Sequence, residues 1–107
     1  MNIGIERIDT HKGVTIKALL DSGTTGMFMD RKTAMKHGFR LQKLERPVRV
    51  KNIDGIYNSG GPIMHQIKVN VYYKSYIKRM RMDICDLGRT EVILGMLWLA
   101  AHNPEIN

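Results

Sequence analysis

Asp21 is the residue with the clearest prospect of chemistry. It closes the apolar run of "KALLDSGTTGMFMD" and is followed at once by Ser22, Gly23, Thr24, Thr25 and Gly26. A carboxylate is costly to bury unless something pairs with it or hydrogen-bonds it. A turn of small residues cannot cover it with bulk. Such a carboxylate stays open to approach and can take up or give back a proton there. A second apolar run, far downstream, ends in Ile93-Leu94-Gly95. Between the two lies "NIDGIYNSGGPIMHQIKVNVYY", in which turn residues crowd from Asn58 to Pro62. Its flanks are strand-like, so it reads as a hairpin with a glycine-rich tip. Those glycines serve turn geometry, or a mobile flap, or close backbone approach to a ligand.

The elements that must position these residues are mostly strands. "GVTIKALLDSG" alternates early and turns fully apolar at Ala18 to Leu20, the pattern of a strand entering a core and ending at the turn from Asp21 to Gly23. "GMFMD" is a short second strand. Asp30 then stands as an N-cap before "RKTAMKHGF", a short helix stopped by Gly38. "PVRVKNI" and "QIKVNVYY" alternate as strands, and Lys74-Ser75 is a turn. In "YIKRMRMDIC", Met80, Met82 and Ile84 fall on one face as core filler. "EVILG" is a buried strand, and "MLWLAAHNP" a short helix ending before Pro104. The inventory, mostly short strands with one or two short helices, predicts an all-β fold, a small barrel or a sandwich-like arrangement.

The 107 residues suit a single domain over 1–107. Hydrophobic content of 43% and charged content of 25% are ordinary for a folded soluble domain. No apolar run approaches a membrane span, and the N-terminus has no signal-peptide core. A lone cysteine, Cys85, excludes an internal disulfide and fits a reducing compartment or simply a small buried residue. His11, His37, His65 and His102 have no metal-ligand spacing, so no metal is expected. The net charge is +7, densest in "KSYIKRMRM". Such a spread reads first as solvated strand faces and can favour weak, nonspecific contact with nucleic acid, while nothing in the sequence supports sequence-specific binding.

Taken in order, "ALLDSGTTGMFMD", "VKNIDG" with "GGPI", and "VILGMLWLAAHNPEI" resemble the retropepsins, the single-domain aspartic proteases of retroviruses and retrotransposons. Among these the chain looks most like the protease of Ty3/gypsy-type long-terminal-repeat elements. The resemblance runs from about Val14 to Ile106. It implies that Asp21 is one of two catalytic carboxyls. Two carboxyls about 3 Å apart cannot both ionise easily and share a proton. One activates water and the other donates to the scissile carbonyl. Ser22, Gly23 and Thr24 would support the active-site loop. The hairpin at about 53–67 would be a flap over bound peptide, with Asp54, Gly55, Asn58, Ser59, Gly60 and Gly61 as substrate-facing candidates. Ile93, Leu94 and Gly95 would pack beneath the active-site loop. Many retroviral members carry Ala and Asp where Thr24 and Thr25 stand, so contacts made by that acid are not carried over.

Only one Asp-Ser-Gly is present, so the resemblance implies a symmetric homodimer with Asp21 of each copy at the axis. It further implies no cofactor, no metal and no membrane. The substrate would be the chain's own Gag-Pol polyprotein, and the location the cytoplasm, within the virus-like particle of the retroelement. Two other readings compete. One is a retropepsin-fold module that dimerises without cleaving. The other is a basic nucleic-acid-binding barrel that carries the triad by accident.

Overall fold

The structure is a computed structural model that describes residues 1–21, 26–48 and 62–95. Its elements are β1 (Asn2–Arg7), β2 (Gly13–Leu20), β3 (Met27–Asp30), α1 (Arg31–Lys36), β4 (Gln42–Val48), β5 (Ile63–Tyr73), β6 (Tyr76–Cys85) and β7 (Val92–Leu94). The sheet order is β1-β2-β7-β3-β6-β5-β4, and a further pairing of β1 with β5 closes it. Closure works because the long β5 shares one edge between two partners. Its end from Val69 to Tyr72 pairs with β1, and its start from Ile63 to Gln66 pairs with β4. Closing a small sheet in this way removes exposed edges. The expected all-β barrel is therefore what the chain forms.

Alternation on the two longest strands builds the core. Ile67, Val69 and Val71 of β5 face inward with Met80, Met82 and Ile84 of β6, and Ile3, Ile5, Ile16 and Ala18 complete the cluster. Each fully buried side chain of this size contributes roughly 1.5–3 kcal/mol. A smaller cluster of Phe28, Ile63, Cys85, Leu87 and Ile93, flanked by Leu44, sits beside it. The turn predicted at Lys74-Ser75 joins Tyr73 to its partner Tyr76, with Lys74 at φ +54.

The structure corrects several expectations. The strand expected from Pro47 starts earlier, at Gln42, and the part of "PVRVKNI" beyond Val48 lies outside the described residues. The pairing of β4 with β5 shifts register between Lys43 and Val48, and Pro47 falls within that irregular stretch of β4. Proline is tolerated at such edges because no ladder donor is needed there. Ala18 is buried as expected, but Leu19 and Leu20 are 47% and 46% exposed. The ladder from β1 reaches only Lys17, with Met1 bonding Ala18, so beyond Ala18 β1 no longer flanks β2. Asp30 has the extended backbone of an N-cap, but its side chain makes no cap hydrogen bond. The helix expected at "MLWLAAHNP" and the hairpin tip lie outside the described residues.

Candidate active site

The end of β2 delivers Asp21 onto β7. Ala18, Leu19 and Leu20 pair in parallel with Val92, Ile93 and Leu94. The ladder continues one step further, where the Asp21 amide donates to the Leu94 carbonyl at 3.0 Å. On its other edge β7 pairs antiparallel with Met27 to Met29 of β3. Both faces of this short strand are covered by core clusters, which is why "VIL" is apolar without alternation. Val92 and Leu94 pack into the main core and Ile93 into the smaller cluster, each fully buried. Gly95 is buried as well. Of the residues singled out in the sequence, the structure thus brings Asp21, Ile93, Leu94 and Gly95 together. Ser22, Gly23, Thr24, Asp54, Gly55, Asn58, Ser59, Gly60 and Gly61 lie outside the described residues.

Asp30 stands at the N-cap position as expected, but its side chain serves as a positioning group for the loop into β7. It is 7% exposed. One carboxylate oxygen accepts the Leu87 amide at 2.9 Å, and its own amide donates to the Glu91 carbonyl at 2.8 Å. Both ends of the loop leading into β7 are therefore tied to the end of β3. The sequence offered only an apolar run ending in an acid; the structure shows "MFMD" wholly buried, and a carboxylate there needs donors. At the start of the same loop Arg31 meets Asp86 at 3.6 Å. Burial pushes the Asp83 carboxyl above its usual range. The Cys85 thiol is pushed up to about 12, by burial first and then by Asp83, Asp86 and Asp30. A buried thiol kept protonated is no nucleophile.

Clefts open among the described residues. One, of about 330 Å³, is lined by Met1, Lys17, Ala18, Leu19, Arg89, Thr90 and Glu91, beside the strand that ends at Asp21. Another, of about 200 Å³, has Arg7, Asp9, Phe39, Arg40 and Lys68 among its lining. Among the described residues no group of three or more His, Cys, Asp or Glu side chains could hold a metal, and no helix is long and apolar enough to cross a membrane.

A closed barrel in which an aspartate leaves one strand over a buried hydrophobic-hydrophobic-glycine strand defines a retropepsin-like protease domain. Solved structures share the fold. The retroviral protease-like domain of Ddi1 from Leishmania major superposes with a TM-score of 0.57 at 17% identity, covering 96% of this chain and 77% of that one. The EIAV protease complexed with the inhibitor HBY-793 gives a TM-score of 0.57 at 19% identity, covering 96% and 86%. At such identities the likeness concerns the fold. The family model of the PEG10/RTL1 protease domain matches residues 17–107, and the chain belongs to that family.

Proposed function

We propose that this chain is an aspartic endopeptidase active as a two-fold homodimer, in which Asp21 of each copy supplies half of a carboxyl dyad. The observation that carries the reading is Asp21 at the open end of β2, fixed through its amide to Leu94 and flanked by the half-exposed Leu19 and Leu20. Apolar side chains at that end favour a partner that covers them. A second copy approaching about a two-fold axis would cover them and bring its own Asp21 to the first.

In the dyad one carboxylate, ionised, removes a proton from a bound water. The other, protonated, donates to the carbonyl oxygen of the scissile bond. Water attacks, a tetrahedral diol forms, and a proton passes to the leaving nitrogen. The dyad holds one proton because two adjacent charges repel. The rigid seat of Asp21 on β7 would keep the carboxyls in register through these steps. Ser22, Gly23 and Thr24 would complete the loop, and the segment at about 53–67 would close over the peptide. The substrate we assign is the chain's own Gag-Pol polyprotein, in the particle of a Ty3/gypsy-type element.

The test is incubation with peptides spanning that polyprotein, comparing the chain with Asp21→Asn. Asparagine keeps the shape and removes the ionisable group. Cleavage should fall by at least about 10²-fold, with an unchanged circular-dichroism spectrum. Equal cleavage by the two chains would overturn the assignment. A dimer that cleaves nothing in either form would favour the dimerisation module instead.

A further inference from the structure

The densest basic stretch of the sequence divides by face once the register is known. Lys68 lies opposite Arg81, Asn70 opposite Arg79, and Tyr72 opposite Ile77. Of the residues between them, Val69, Val71 and Met80 are buried, while Lys78, opposite Val71, is exposed. These six therefore share the outer face of the β5–β6 hairpin. Arg79 and Arg81 repeat at the two-residue period of a strand, about 6.8 Å apart along it. Lys68 directly opposite Arg81 is a like-charge pair, which costs stability. Lys68, Arg79 and Arg81 are all exposed, and none makes an ion pair with a described residue. Glu6, which pairs with Asn70 across β1 and β5, is engaged by Asn70 at 3.1 Å, by His11 at 3.3 Å and by the Tyr72 hydroxyl. Asp83, next along the face from Arg81, is half-buried.

The positive track does not stop at the hairpin. Lys68 also lines a cleft of about 200 Å³ together with Arg40, over Phe39 and Ile67, and the acid of that lining, Asp9, is paired with Arg7 at 2.9 Å. At the track's other end stand Tyr72, half-buried with its hydroxyl donating to the Glu6 carboxylate, and Ile77, which is 65% exposed.

We infer that this face binds single-stranded nucleic acid. Four cations in a row, Arg40, Lys68, Arg81 and Arg79, suit a chain of phosphates. A ring at the end of the row suits base stacking, the combination by which such strands are held without sequence preference. A membrane surface would be met by several bulky apolar side chains among the cations, and this face offers Ile77 alone. An acidic peptide would make no use of Tyr72.

The test is titration of a labelled oligouridylate with the chain at increasing salt. Four phosphate contacts predict a slope of log K against log salt of about −3. Replacing Lys68, Arg79 and Arg81 by Gln should reduce it to about −1 and weaken binding at least tenfold at low salt. Replacing Lys32, Lys36 and Lys43 by Gln removes the same charge from α1 and β4, and should change affinity by less than about twofold. Tyr72→Leu should weaken binding about tenfold and leave the slope alone. Thermal melts confirm that each variant folds. Equal losses in the two triple variants would reduce the effect to net charge and overturn the inference. So would polyglutamate or phosphatidylserine vesicles held as tightly as the oligonucleotide and released by the same three substitutions.

Discussion

One side chain, Asp30, decides how the strand beneath Asp21 is approached. Its carboxylate is nearly buried and accepts the Leu87 amide. Asp30→Ala would leave that amide without its acceptor, at a cost of about 1–3 kcal/mol. Asp30→Asn keeps a carbonyl oxygen in the same place and should cost clearly less. Urea unfolding reads the difference as a shift in midpoint at constant slope. Alanine and asparagine variants as stable as the parent would mean that the loop into β7 is held by something else. In sequence, Asp30 was legible as the residue before a helix, and its backbone, φ −63 and ψ 137, is that of an N-cap. Its bonding was not legible, because the competing donor lies 57 residues away in the chain. Asp21 was easier to read, since the small residues that follow it form part of an ordered set of motifs.

The elements divide along the same line between local and distant causes. The β5–β6 hairpin announces itself by long alternation and a two-residue turn. The helix stop is local too. Gly38 has φ +70, its amide bonds Met35, and the amide of Phe39 reaches back to Ala34. Those two bonds form a Schellman motif, which favours glycine at its left-handed position. Gly38→Ala should therefore cost roughly 1 kcal/mol, lowering Tm by about 4–8 °C. A melt unchanged within error would show that α1 tolerates a side chain there. By contrast β1 presents only Ile3 and Ile5 as its inward pair. Most of β4 is exposed and polar. Neither carries enough pattern to be read, and each becomes a strand because β5 supplies an edge. Leu19 and Leu20 read as core because they are apolar, and only the barrel's closure shows that they lie past its end.

For the whole molecule, those two leucines and the net charge pull in opposite directions. A two-fold dimer through the Asp21 end would cover Leu19 and Leu20, which stand 47% and 46% exposed in the single chain. It would also bring together two chains of +7 each. Like net charges oppose association, and salt screens them over a Debye length of about 10 Å at 0.1 M and about 3 Å at 1 M. Dimerisation should thus strengthen as salt rises, while contact between the β5–β6 face and nucleic acid weakens. Half of the proposed dyad belongs to each copy, so cleavage should follow the dimer. Diluting the enzyme below its dimer constant should lower cleavage per chain, and added salt should restore part of it. Sedimentation run alongside should show the dimer fraction moving with the rate. Cleavage per chain that holds steady on dilution, while sedimentation reports only monomer, would mean that a single Asp21 suffices and that no shared dyad exists.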